Sequence, residues 1–254
     1  MNIHKYSSLS SGSSWIGKQQ FLAVLNDLAI LFPVFLLIFT WRGFVQALTA
    51  KIMGDRTAER DGFLTLNPLA HIDLYGFMIV MGVFFVLGGL FYNVMPRAVL
   101  LMILILFGVR WTIPVPINDS KFRSYRLGGI ITTLSGPLAN FLLAFIAIGL
   151  MRLCLSTNLP ANITNTLLEI FKNLIHVALF FGVLDLIPLP PFDGGRMLRY
   201  LLPYSSYHTL QKLEEYSLFI LLVLFFAPGI SDIFFGGIFV IASIIKKLML
   251  SVFF

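Results

Sequence analysis

The sequence predicts an all-α, polytopic membrane protein with about six membrane segments, and three observations carry that prediction. Hydrophobic residues make up 58% of the 254-residue chain and charged residues only 12%, against roughly a quarter charged in soluble globular proteins. So little charge cannot clothe a water-facing surface. The mean hydropathy is +0.90. The apolar residues are gathered into runs that suit the roughly 20-residue helix a hydrocarbon core requires. The same composition excludes a disordered or collagen-like chain. It also excludes nucleic-acid binding: the net charge is +6, but the Lys and Arg residues are scattered among apolar runs and form no basic patch. The expected organisation is a polar tail at residues 1–20 and a single transmembrane domain at residues 21–254.

The first apolar run covers residues 21–41 and is expected to continue as a helix to Met53. Residues 75–95 and 98–110, divided by Asn93 and Pro96, read as two short spans or one long bent one. The fourth run is 127–153 and the fifth 166–188. The sixth, 216–250, is broken at Pro228 and Gly229 and reads as a hairpin of two short helices. The Ser-rich stretch 7–14 reads as flexible. The start of the chain lacks a charged n-region and a small-residue cleavage site, so no removable signal peptide is expected. Cys154 is the single cysteine, which leaves no intrachain disulfide and no cysteine-based zinc or iron–sulfur site. Basic residues cluster at Lys51, Arg56 and Arg60, at Arg110, Lys121, Arg123 and Arg126, at Arg196, Arg199 and Lys212, and at Lys246 and Lys247. Residues 154–164 have none. The positive-inside rule therefore predicts cytoplasmic basic groups and an external 154–164 loop. A single crossing by the first run would put Lys5 and Lys18 outside, whereas a re-entrant first run would not.

Ionisable groups within spans cost roughly 2.5–3.5 kcal/mol each on insertion scales and are functional candidates by default. Asp27, Arg42, Glu169, Lys172, His176, Asp185 and Asp193 qualify. Glu169 and Lys172 are spaced i,i+3 and are expected to pair on one helix face. His176 is expected to be a hydrogen-bonded interior histidine, and Asp27 to lie near an interface. Asp193 stands out through its surroundings, Asp185-Leu-Ile-Pro188-Leu-Pro190-Pro191-Phe-Asp193-Gly-Gly-Arg196. Three prolines remove backbone donors and forbid regular helix. Non-helical backbone at membrane depth is tolerated where protein or a water-filled cavity satisfies it. This segment is expected to line a cavity with the Asp193 carboxylate aimed into it.

The segment Asp185–Arg196 resembles the Asn-x-x-Pro-x-Pro-Pro-Leu-Asp-Gly-Gly-Arg motif of site-2 proteases, the zinc intramembrane metalloproteases. Three more stretches are similar to that family, in the same order. Gly54-Asp55-Arg56-Thr57-Ala58 with Leu64 to Asp73, including Asn67-Pro68-Leu69-Ala70-His71, resembles the segment after the family's zinc helix. Pro114-Val115-Pro116-Ile117-Asn118 resembles its proline loop, and Gly136-Pro137-Leu138-Ala139-Asn140 its Gly-Pro-x-x-Asn helix. The resemblance spans about residues 42–200, with a longer stretch between Tyr75 and Arg110. It implies a protease-like core. Its cavity and substrate-binding candidates are Asp185, Pro188, Pro190, Pro191, Gly136, Pro137, Asn140 and Arg42.

The family's chemistry rests on a His-Glu-x-x-His helix, whose two imidazoles one turn apart face zinc while the Glu acts as general base. The resemblance places Arg42 in the first His slot, Gly43 in the Glu slot and Gln46 in the second His slot. Asp193 is the one retained family ligand, and the motif's Asn has become Asp185. Arginine has no lone pair to offer, glycine has no side chain, and one carboxylate does not hold catalytic zinc. No catalytic residue is intact and no cofactor is expected, although the family uses zinc. Without the metal, a buried Asp193 needs another positive charge. Arg42 is expected to supply it, paired with Asp193 or Asp185. The expected function is therefore that of a pseudoprotease that binds transmembrane helices of client proteins, or an active protease relative, within the lipid bilayer. Its degenerate site faces the cytoplasmic side. Two other readings stay open. One is an active intramembrane peptidase with a metal site rebuilt from His71, His176, Asp185 and Asp193; the other is a transporter or lipid-handling protein.

Overall fold

The computed structural model describes residues 7–73, 75, 113–157, 159–227 and 229–253. The apolar runs 75–95 and 98–110 lie outside the described residues except for Tyr75, and so does the side chain of Asp27. The described elements are helical: α1 Ser7–Met53, α2 Thr57–Arg60, α3 Tyr125–Ser156, α4 Ala161–Asp185, α5 Asp193–Leu201, α6 Tyr207–Glu215, α7 Ser217–Phe226 and α8 Ile230–Phe253. Short 3₁₀ turns lie at Pro68–Ala70, Asp119–Lys121 and Tyr204–Ser206. Among the described residues, four helices are long and apolar enough to cross a bilayer: Ala29–Met53, Tyr125–Ser156, Ala161–Asp185 and Ile230–Phe253.

Three boundaries differ from the sequence expectations. Ser7–Ser14 belongs to α1 and is helical. Serine falls below alanine in helix propensity by only about half a kcal/mol, and a helix propagates easily from an existing nucleus. The last apolar run is not a pair of short helices: α7 has 10 residues, but α8 has 24 and suffices for a crossing alone. Gly229, at φ +81°, turns the chain between them, a conformation open to glycine at no steric cost. Helix α4 begins at Ala161, earlier than expected, directly after Pro160, which has no N–H to leave unpaired at the helix start.

The chain divides into two compact units, residues 1–33 with 69–113 and residues 34–68 with 114–254. In the first, His71 is buried and its carbonyl accepts the Ile113 N–H at 2.9 Å. The second holds the candidate site. Here α3 packs along α4, and α8 lies against both. Phe181 of α4 meets Phe35 and Phe39 of α1 edge-on, with centroids 5.9 and 5.2 Å away. Phe180 stacks with Phe235 and packs against Phe239 of α8. Helices α1 and α3 run antiparallel: Trp41 Nε1 donates to the Ala139 carbonyl at 2.9 Å, while at the other end Arg123 N donates to the Met53 carbonyl at 3.0 Å.

Asp55 ties this basic end together. Its Oδ1 accepts from Thr57 N (2.9 Å) and Thr57 Oγ1 (2.5 Å), and its Oδ2 from Asn118 N (2.7 Å). The Asp-x-Thr spacing makes the local turn, and the third bond anchors the proline loop, whose Val115 is buried with Ala47, Ala58 and Phe63. Burial alone would raise the Asp55 carboxyl, but the bonds from Thr57 and Asn118, with Lys121 nearby, outweigh it and hold it below its usual value. A depressed folded-state value stabilises above the unfolded value, about pH 4, and that contribution is lost as pH falls through the lower, folded value. Asp55→Asn is expected to lower stability by about 1–3 kcal/mol at neutral pH and to flatten the acid limb of the stability profile. Melting curves in detergent between pH 3 and 7 test both.

Candidate functional site

Helix α1 contributes Arg42 and Gln46 from one face, four residues apart. Arg42 lies 11 residues before Met53, about 16 Å along the helix from its basic end at 1.5 Å per residue. Helix α4 ends at Asp185, and α5 begins at Asp193. The seven residues between them solve the problem the prolines pose. Leu186, Ile187, Leu189 and Phe192 are the only ones with an N–H, and each donates to a carbonyl, of Val183, Leu184, Ile187 and Leu189 in turn. Pro190 is buried and Pro188 and Pro191 are exposed. A Cβ on Gly194 would overlap the carbonyls of Leu186 and Ile187, and one on Gly195 would overlap the backbone of Leu189 and Pro190. The two glycines therefore let α5 start directly against the loop.

The loop and α1 bring three charges together. Arg42 Nη2 donates to Asp193 Oδ2 at 2.5 Å. Arg42 Nε lies 2.9 Å from Asp185 Oδ2 as an ion pair, without the alignment of a hydrogen bond. Arg196 Nη1 stands 3.7 Å from Asp193 Oδ1, so Asp193 has a cation on each oxygen. The side chains are 21% exposed for Arg42, 11% for Asp185 and 3% for Asp193, far less than in the solvent-exposed ion pairs that contribute little. Asp193 also opens α5, where the helix dipole favours a carboxylate.

Helix α3 closes the other side with Gly136. A Cβ there would come within 2.6 Å of Asp193 Oδ2 and 3.3 Å of Arg42 Nε. Gly136→Ala is therefore expected to push the carboxylate off the guanidinium and lower stability by about 1–3 kcal/mol, the usual penalty of overpacking. A Gly136→Ala melt unchanged from the parent would show that the pair has slack. Gly136, Pro137 and Asn140 are all buried in α3. Asn140 Nδ2 and Oδ1, Thr132 Oγ1 and Gln46 Nε2 are buried without a hydrogen-bond partner among the described residues. Thr132, Gly136 and Asn140 recur every four residues, so they line one face of α3. Gln46, one turn beyond Arg42, falls level with Thr132 in the antiparallel register.

The far end of α5 is fixed by a second set of contacts. Tyr200 donates to Asp119 Oδ1 at 2.7 Å. Arg199 reaches Glu214 of α6 through Nε and Nη2 at 2.5–2.7 Å. Burial, then the bond to Asp119, pushes the Tyr200 phenol well above its ordinary value. The Glu214 carboxylate raises Arg199. Sequence reading named neither contact, because each joins residues whose proximity only the fold creates. Arg196 was visible in the motif, and its second pairing to Asp193 was not.

Other expectations need correction. His176 is exposed, with Nδ1 2.7 Å from the Lys172 carbonyl and Nε2 2.9 Å from Lys246 Nζ. It is hydrogen-bonded but not interior, because α8 brings a lysine beside it. No ion pair joins Glu169 to Lys172 among the described residues. Instead, the Glu169 carbonyl accepts from Asn173 Nδ2 at 3.0 Å. Zinc does not fit the residues at the family's slots, where Arg42 offers no lone pair and Gly43 no side chain. Among the described residues, no group of three or more His, Cys, Asp or Glu side chains is placed to hold a metal ion.

A buried carboxylate-bearing proline loop, set against a helix of spanning length, defines a multi-pass α-helical membrane protein with a polar site inside its second unit. The chain is 30% identical over 192 residues to the Bacillus subtilis (strain 168) protein named "Putative zinc metalloprotease YwhC", an overlap of 75% of this chain and 77% of that one. It is 26% identical over 192 residues to "Putative zinc metalloprotease Rip2" of Mycolicibacterium smegmatis, covering 76% of this chain and 64% of that one. The chain belongs to the site-2 protease family of zinc metalloproteases. No family model and no solved structure matches it.

Proposed function

We propose that this chain is a proteolytically inactive member of its family, which holds transmembrane helices of client proteins or of an active protease relative without cutting them. The observation that carries this reading is the Arg42 guanidinium lying between Asp185 and Asp193, in the slot where the family resemblance puts a zinc-binding imidazole. Its fixed positive charge neutralises the carboxylates that a metal would otherwise serve. Neither a general base nor a site for activated water remains at Gly43. Gln46, Thr132 and Asn140, buried without a hydrogen-bond partner among the described residues, supply the binding half once α1 and α3 part to admit a helix. An unwound helix segment brings N–H and C=O groups that need partners in lipid, and these side chains offer both donors and acceptors. The degenerate site opens toward the cytoplasm in this reading, with the basic end of the bundle on that side.

A photo-crosslinking amino acid at position 140, in full-length protein co-expressed with tagged single-span reporter helices, tests it. The expected result is an intact crosslinked reporter and no cleavage fragment. A fragment that disappears with Asp193→Ala would return proteolysis, and the absence of any crosslinked helix would remove the binding half.

A further inference from the structure

Helices α5, α6 and α7 and the link between the first two line an open cleft of about 560 Å³, within the roughly 300–1,000 Å³ range of small-molecule sites. Its walls are mainly aliphatic, with Leu202, Leu213 and Ile220 among them, and Ser206, Thr209 and Lys212 supply polar groups. Lys212 is the one cation among the described lining residues, and no acidic residue is among them. Of the two carboxylates that end α6, Glu214 is bound by Arg199, and Glu215 is exposed and not among the lining residues. The cleft lies at the basic end of the bundle. Helix α5 reaches it as Tyr200 meets Asp119, beside Lys121 and Arg123, and Tyr207 at the start of α6 has its hydroxyl 2.9 Å from that of Tyr125. From there α7 begins a wholly apolar stretch, Leu218 to Phe226.

We infer that this cleft binds an anionic phospholipid of the leaflet at the basic end. Charge and polarity complement both halves of such a molecule. The headgroup phosphate meets the Lys212 ammonium and the hydroxyls of Ser206 and Thr209, and an acyl chain lies along Leu202, Leu213 and Ile220 toward α7. An unpaired cation beside an apolar wall at headgroup level is the arrangement by which basic pockets between membrane helices select anionic lipids. The inference is independent of whether the Arg42 site cuts or holds helices.

The test is native mass spectrometry of the detergent-purified full chain, titrated with long-chain phosphatidylglycerol and phosphatidylcholine. One interfacial lysine leads to an expected preference of about fivefold for phosphatidylglycerol. Lys212→Gln, at an exposed position, is expected to equalise the two lipids while leaving the melting curve unchanged. Thr209→Trp is expected to fill the cleft and weaken both lipids. A preference retained in Lys212→Gln would overturn the assignment in favour of the other basic groups. So would equal binding of a short-chain phosphatidylglycerol, or its displacement by inorganic phosphate, either of which would mean a bare anion site. A dimer lost with Thr209→Trp would give this face to a second copy of the chain.

Discussion

Replacing Arg42 with Met is expected to destabilise the folded protein by about 3 kcal/mol. That is the lower end of the 3–5 kcal/mol usual when one partner of a buried ion pair is removed, because the guanidinium keeps 21% of its side-chain surface. The loss arises from what is left behind. Asp185 and Asp193 would face each other without their shared cation, and Arg196 at 3.7 Å reaches only the second oxygen of Asp193. Neutralising both carboxylates in the same chain, with Asp185→Asn and Asp193→Asn, is therefore expected to recover most of the stability. Asp193→Ala alone should be nearly as harmful as Arg42→Met, since it strands the arginine. Denaturant or thermal unfolding in detergent, read as a mutant cycle, separates this coupling from simple loss of packing. Equal, additive losses in all variants would mean that Arg42 is held by its stem against α3 and not by its charge.

The second large effect is gain of metal. Restoring the family pattern with Arg42→His, Gly43→Glu and Gln46→His puts two imidazoles one helical turn apart, facing Asp193. Three ligands of that kind suit a catalytic-type zinc site with an open fourth position. The triple variant is expected to bind close to one zinc per chain and to lose it when Asp193→Ala is added. Failure to bind zinc in a variant that melts normally would mean that α1 and the proline loop have drifted out of the metal-binding geometry. The scaffold would then have diverged further than its slots.

Much of the site was legible in the sequence because its chemistry is local or motif-bound. The three prolines between Asp185 and Asp193 forced a non-helical loop, and a carboxylate in such a loop within an apolar run required a counter-charge. Arg42 was the basic residue in the slot facing it. The structure adds that one guanidinium reaches both carboxylates and that Gly136 leaves room for them. That detail depends on how α1 and α3 pack, which no spacing records. Asp55 shows the same division. Its Asp-x-Thr turn is readable from three residues, while its bond to Asn118 closes 63 positions of chain. The Ser-rich start misled because composition reports propensity, whereas a helix already nucleated by an apolar segment extends through residues of moderate preference. The Glu169–Lys172 pair failed for a related reason: i,i+3 spacing permits a contact on a helix surface but does not compel it, and the gain is only a few tenths of a kcal/mol.

The most direct measurement is the metal content of the unmodified, full-length protein by elemental mass spectrometry, beside an Asp193→Ala control prepared in the same way. With Arg42 in the place of the metal, zinc in the parent should not exceed that in the control. Near-stoichiometric zinc in the parent, lost with Asp193→Ala, would contradict the account and restore an intramembrane metalloprotease as the function of this chain.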